Sequence, residues 1–188
     1  MARPEGSTKN GIKYLNQEQI KAFLKALEDG KKLRDEVAMR LCFRLGLRVQ
    51  ELANLKLSDI NFDSQQIHIQ GLKHGRERTY DIEKELWRKL TKYIRETKVK
   101  EQLFPLTTQG LKFIFKRYAK RAGLPNDFSI HSLRHSVAMA MAQAGSSQIY
   151  IMKWLRHRSV TSSQIYFEQL EDSRLDERMN ERVFPAFM

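Results

Sequence analysis

A mostly α-helical domain with one small antiparallel β-sheet set early in the chain is what this sequence predicts, and three observations predict it. Apolar residues recur at three- and four-residue spacing over most of the 188 positions. Alternation with period two is confined to residues 60–82, where Ile67-His68-Ile69 and Thr79-Tyr80-Asp81-Ile82 flank the turn-rich Gly71-Leu72-Lys73-His74-Gly75. Hydrophobic residues make up 41% and charged residues 30%, with nine Gly and four Pro, which suits one globular core and excludes a disordered or low-complexity chain.

Residues 1–13 mix Pro, Gly, Ser and basic residues without periodicity and read as a mobile basic arm, so the fold is expected to begin near Tyr14. Asn16 followed by Gln19 has capping-box spacing, and Ile20, Phe23, Leu24 and Leu27 repeat helically before Gly30, predicting a helix over 17–29. Val37, Ala38, Leu41, Cys42 and Leu45 mark a second helix that stops at Gly46, and Val49, Leu52 and Leu55 a short third. Beyond the sheet, helices are expected near 83–97, 108–122, 131–144, 148–155 and 173–182. In the helix near 108–122 the apolar stripe is Leu111, Ile114, Phe115 and Tyr118, while Lys112, Lys116 and Lys120 repeat every four residues beside Arg117 and Arg121. Like charges at that spacing repel, and a phosphate backbone offsets the repulsion most easily, although this segment alone reads equally well as a solvated face on a basic protein.

No apolar run approaches the ~20 residues of a membrane helix, and the start has no apolar signal segment, so a soluble, cytoplasmic and nucleoid-associated protein is expected. Cys42 stands alone in an apolar run and reads as a buried thiol. Thirty-four Lys and Arg against twenty-two Asp and Glu leave +12; the last 22 residues carry −3, so residues 1–166 carry +15. A polycationic body points to nucleic acid as partner, because neutralising the backbone supplies most non-specific affinity. A membrane surface fits less well, since the basic residues are not gathered on one terminal amphipathic helix.

His131-Ser-Leu-Arg134 places an imidazole and a guanidinium on one helix face, a weak signal alone. Its company strengthens it: Gly46-Leu47-Arg48-Val49-Gln50-Glu51-Leu52, then Gly71-Leu72-Lys73-His74-Gly75-Arg76-Glu77-Arg78, then Leu155-Arg156-His157, with Tyr166 nine residues beyond His157. In order and spacing these segments resemble the tyrosine recombinases, or phage-type integrases, over most of the chain from Tyr14 to about Tyr166. The resemblance implies a mostly α catalytic domain with a small antiparallel three-stranded sheet over residues 14–172, followed by a C-terminal helix or tail at 173–188.

The function it implies is site-specific cleavage and rejoining of double-stranded DNA through a covalent 3′-phosphotyrosyl intermediate, without ATP, metal or other cofactor. That chemistry needs a nucleophile, neutralisation of the non-bridging oxygens and a proton for the departing 5′ oxygen. Tyr166 would attack the phosphorus; Arg48 and Arg134 would clamp the phosphate as bidentate donors; Lys73 would serve as general acid. His131 would position the phosphate or share in proton transfer near Tyr166, His157 would donate to a transition-state oxygen, and Glu51 would orient Arg48. Arg76, Arg78, Lys112, Lys116, Arg117, Lys120, Arg121 and Arg156 are the expected DNA contacts. The family usually has Gly where this chain has Arg156, which either strains the turn before His157 or adds a phosphate contact; sequence leaves both open.

Taken singly, Tyr166 also reads as a core aromatic and Arg48 as a partner of Glu51 one turn on; a single active site explains all six catalytic candidates together. The expected partners are DNA, further copies of the chain from dimer to tetramer in synapsis, and accessory DNA-bending proteins, with no membrane. The tail, with Phe184 and Phe187 at its end, either folds back on its own core or docks on a neighbouring protomer. Only the dozen residues before Tyr14 precede the catalytic fold, as in short fimbrial inversion recombinases, so the chain is expected to be either a naturally minimal enzyme, which the native-looking N-terminus favours, or an excised domain. A type IB topoisomerase and a non-catalytic DNA-binding regulator are the alternatives; a covalent adduct on a nicked suicide duplex separates enzyme from regulator, and a need for paired sites separates recombinase from topoisomerase.

Overall fold

In the structure, a computed structural model that describes residues 12–72, 76–159, 161–164 and 166, the chain opens with α1 (Gln17–Asp29). The Asn16 side chain accepts from the Gln19 backbone N–H while Gln19 accepts from that of Asn16, so two of the helix's orphan donors are satisfied reciprocally. Phe23, Ala26 and Leu27 form its buried side. α2 (Leu33–Arg44) starts one turn earlier than the apolar pattern indicates, because Asp35 and Glu36 in its first turn are buried with the apolar residues. Asp35 faces Arg34, Arg117 and Tyr118, and Glu36 faces Arg40 and Lys89. Ion pairing is what admits these carboxylates to the interior.

Gly46 ends this segment at φ +57, in the left-handed region, and a Cβ there would lie 2.4 Å from Leu155 Cδ2. α3 (Val49–Ala53) follows, then a 3-10 turn (Leu57–Asp59) and the sheet: β1 (Ile60–Asn61), β2 (Gln66–Ile69) and β3 (Arg78–Asp81). The strands are antiparallel in the order β1-β2-β3, with Ile60 opposite Ile67 and Ile67 opposite Tyr80. Period-two geometry puts Ile67, Ile69 and Tyr80 on the buried face. The last β2–β3 pair is Ile69 with Arg78.

α4 (Lys84–Thr97), α5 (Thr108–Arg121), α6 (Ile130–Gln143) and α7 (Gln148–Trp154) complete the named elements, and residues 161–164 and 166 are helical. The stripe expected on α5 is the buried one, with Ala119 added. α6 carries nine buried residues, Arg134 among them, so it runs through the interior. The main core joins α1 to α5, the sheet and the start of α6. A second, smaller cluster gathers Val137, Ala138, Met139 and Ala142 of α6 with Ile151, Leu155 and Tyr166. Among the described residues no helix is long and apolar enough to cross a membrane.

Two residues assigned to the basic arm already belong to the body: Ile12 packs on the second cluster and Lys13 pairs with Asp127 at 2.7 Å. The expected helix at 173–182, the docking tail and Lys73 lie outside the described residues. One expected DNA contact is corrected, and a second is partly engaged inside the protein. Arg156 is 1% exposed and its guanidinium is turned into the protein, because φ +57 at this position aims the side chain inward toward Glu51. Arg117 is half-buried, paired with Asp35 and stacked 5.1 Å from the Tyr118 ring, since the interior carboxylate needs a counter-charge.

Candidate active site

Arg48 stands at the N-cap of α3, and Glu51 in that helix's first turn accepts both its backbone N–H and its Nη1, each at 2.8 Å. Three residues is one turn, so the local sequence by itself brings this pair together. The Glu51 carboxylate is fully buried and gathers two further guanidinium groups: Arg156 Nη2 lies 2.6 Å from Oε2 and Arg134 Nη1 3.9 Å from it. Burial works to raise the Glu51 carboxyl, but the charge and hydrogen bond of Arg156, the Arg48 N–H and the charge of Arg134 outweigh it and hold the group below its usual range. Three cations around one anion leave the cluster positive, which is what a phosphate site requires.

Arg134, 5% exposed, is fixed by backbone carbonyls, donating to Gly46 O through Nη1 and to Leu155 O through Nη2. A guanidinium carries five N–H groups, so these bonds set its plane without exhausting its donors. Arg48, with a third of its side chain exposed, is the member of the cluster that reaches solvent. Arg156 is held through both terminal nitrogens: besides Glu51 it donates to Tyr80 Oη and to the carbonyls of Leu45, Gly46 and Trp154, while its buried Nε has no hydrogen-bond partner among the described residues. It neutralises Glu51 from within and so leaves the charge of Arg48 available at the surface.

His131 sits in the first turn of α6, open to solvent on one side; partial desolvation of the ring, then the charges of Arg134, Lys112 and Arg48, lower its imidazole pKa. Lys112 on α5 is thus close enough to His131 for its charge to act on the ring. His157 follows α7, and its Nδ1 lies 2.8 Å from Ser163 Oγ. Burial, helped by Arg134 and Arg48, pushes His157 down to about 3, so it is a neutral ring at physiological pH. Tyr166 is 2% exposed; burial pushes its hydroxyl up to about 12, while Arg134 and Arg48 pull the other way. Arg48, Glu51, His131, Arg134, His157 and Tyr166 thus share one neighbourhood, although they come from α3, α6 and the segment after α7.

The remaining expected contacts divide. Lys112, Lys116, Lys120 and Arg121 are exposed on α5, with Lys116 donating to the Asn126 carbonyl and Arg121 lying over Tyr118. Arg76 is exposed, whereas Arg78 is half-buried over the rings of Trp154, Tyr80 and Tyr150 at 5.0, 5.3 and 5.9 Å. Three site residues had no assigned role in the sequence reading. His135 Nδ1 is 2.8 Å from Tyr166 Oη, Ser163 fixes His157, and Tyr80 joins Arg156 to the sheet. His135 lies one helical turn beyond His131, a spacing that marks a shared face; nothing local marks Ser163.

Comparison with known proteins gives a consistent picture. Residues 13–172 match the model of the phage integrase family. Tyrosine recombinase XerA of Pyrococcus furiosus is 34% identical over 82% of this chain and 56% of its own length. Tyrosine recombinase XerA of Saccharolobus solfataricus is 32% identical over 88% of this chain and 55% of its own. The chain therefore spans a little over half the length of these relatives. Among solved structures, XerA recombinase superposes with a TM-score of 0.76 at 23% identity, covering 90% of this chain and 65% of that one. XerH site-specific recombinase, bound to palindromic difH substrate in a post-cleavage complex, does so with 0.78 at 23%, covering 94% and 56%.

Proposed function

The chain belongs to the phage integrase family, and from that premise we propose that it cleaves and rejoins double-stranded DNA at specific sites through a covalent 3′-phosphotyrosyl intermediate. The observation that carries this reading is the burial of the Tyr166 hydroxyl in the field of Arg134 and Arg48, two guanidiniums tied to one carboxylate frame. A phosphodiester entering beside Arg48 replaces solvent on that guanidinium, and Arg134 adds preorganised donors at no reorganisation cost. Tyr166 Oη attacks the phosphorus, and the P–O5′ bond breaks with its electron pair left on the 5′ oxygen. Lys73, from the connection between β2 and β3, delivers the proton that oxygen needs. The ester conserves the energy of the broken bond, so rejoining runs as the reverse reaction.

Neutral His157, its Nδ1 engaged by Ser163, keeps Nε2 for a transition-state oxygen. Arg156 does not count as a sign of lost activity: with Glu51, Tyr80 and backbone carbonyls as partners it is part of the frame. The exposed Lys112, Lys116, Lys120 and Arg121 of α5, with Arg76, supply backbone contacts that fix register on the duplex. Strand exchange takes place between copies of the chain on paired sites. The test is the suicide duplex, in which a nick lets the cleaved end diffuse away and traps the protein on DNA. Wild type is expected to form an adduct and Tyr166→Phe none, with DNA affinity nearly unchanged because one oxygen and no positive charge is lost. Adduct formation by Tyr166→Phe removes Tyr166 as nucleophile.

A further inference from the structure

Resting on that reading, we propose that His135, rather than His131, accepts the Tyr166 proton as the tyrosine attacks. His135 Nδ1 stands 2.8 Å from Tyr166 Oη, and the two rings are 6.0 Å apart and tilted. No hydrogen bond joins His131 to the tyrosine, and the Nδ1 of His157 is taken by Ser163. An acceptor is needed, because burial pushes the Tyr166 hydroxyl up to about 12 and so leaves almost no phenolate at neutral pH. Burial first, then the charges of His131 and Arg134, push His135 down to about 4, so its ring is neutral at physiological pH with a lone pair free; a base that weak takes the proton only in concert with formation of the Oη–P bond. Among the described residues, His131 and Arg134 on α6, and His157 and Tyr166 from the segment after α7, are the ionisable groups around it.

The step balances. The O–H bond of Tyr166 breaks and its proton goes to Nδ1, while the electron pair left on Oη forms the new bond to phosphorus. The P–O5′ bond breaks, and the 5′ oxygen is protonated by the general acid. His135 is then an imidazolium beside the negatively charged phosphorane, which offsets the cost of charging a buried ring. In rejoining, the 5′ hydroxyl attacks, and the departing tyrosine oxygen recovers the proton from His135. His135 touches the reacting oxygen and is catalytic in that sense.

The assay is single-turnover adduct formation on a nicked duplex by wild type, His135→Ala and His135→Asn, with DNA affinity measured alongside. General-base removal is expected to slow both variants about 10²-fold or more. Asparagine retains a hydrogen-bond acceptor without a basic site, so its failure separates proton transfer from mere positioning, and added imidazole is expected to restore His135→Ala. An Asn variant as fast as wild type, or an Ala variant as fast, overturns the proposal. Should either variant fail to fold, the wild-type pH profile decides, on a substrate whose bridging 5′ oxygen is sulfur so that the general acid's own titration is silent. A proton-accepting imidazole gives a plateau from near neutrality to pH 9, whereas a rate that climbs about tenfold per pH unit toward the tyrosine's ionisation shows attack by free phenolate and overturns the assignment. If wild type forms no adduct, the recombinase reading falls and this one with it; if wild type reacts and the His135 variants match it, only the His135 assignment falls.

Discussion

Replacing Arg156 tests how a side chain occupies a position where the family usually has glycine. The residue sits at φ +57, which costs an L-residue about 1–2 kcal/mol, and it persists because its guanidinium is the inner counter-charge of Glu51 at 2.6 Å. Removing one partner of a buried ion pair costs about 3–5 kcal/mol. Here the low end applies, because Glu51 keeps two 2.8 Å hydrogen bonds from Arg48. Arg156→Ala retains the strained backbone and loses the pair, so a loss of about 3 kcal/mol is expected. Arg156→Gly loses the same pair but relaxes the backbone, and is expected to be the more stable of the two variants by about 1 kcal/mol. For a chain of this size each kcal/mol moves the melting temperature by about 2–4 °C, so Ala should melt roughly 6–12 °C below wild type and Gly about 2–4 °C above Ala. Thermal unfolding at low salt and at 1 M salt is the measurement, since a pair this deep is little screened and the differences should persist. DNA affinity should fall as well, because an unneutralised Glu51 draws Arg48 and Arg134 away from phosphate. An Ala variant that melts with wild type, or a Gly variant that melts below Ala, refutes this account of the site.

Four further outcomes follow from the same geometry. Arg134→Lys should lose on the order of 10²-fold or more in adduct formation, because an ammonium cannot bond Gly46 O and Leu155 O and still clamp phosphate; a near-normal rate shows the planar guanidinium is dispensable. Gly46→Ala should destabilise and slow cleavage together, since a Cβ at φ +57 meets Leu155 Cδ2 at 2.4 Å and Arg134 is anchored at both residues; calorimetry with the suicide assay checks that the two losses coincide. Stability should fall with acid: the folded pKa values of His157 and His135 lie near 3 and 4, below the ordinary ~6.5 of an unfolded histidine, so the unfolded chain binds protons the folded one does not. The melting temperature is therefore expected to decline from about pH 6.5 down toward pH 4, with a shallower slope in His157→Asn. Lys73→Ala should fail on an ordinary phosphodiester yet cleave one with a bridging 5′ sulfur, and equal impairment on both removes Lys73 as general acid.

What the sequence determined by itself is local. Apolar spacing placed α1, α5 and α6 within about a residue of their ends and picked the buried stripe of α5, because helical periodicity is a property of neighbours three and four positions apart. The Asn16–Gln19 box and the Arg48–Glu51 pair are legible for the same reason, each spanning a single turn. Family resemblance added the order of the catalytic candidates, and the structure gathers those it describes into one neighbourhood. What only tertiary structure decided is which partner each charged side chain takes. Arg156 meets Glu51 across 105 residues of sequence and Arg117 meets Asp35 across 82, so one expected DNA contact turns inward and another shares its charge with a buried carboxylate. The same holds for the histidines of α6: His131 and His135 are one turn apart and alike in sequence, but it is His135 that Tyr166, 31 residues on, meets at hydrogen-bond distance. A buried charge or hydroxyl must find a complement wherever packing brings one, and packing answers to the whole chain rather than to the spacing of its nearest residues.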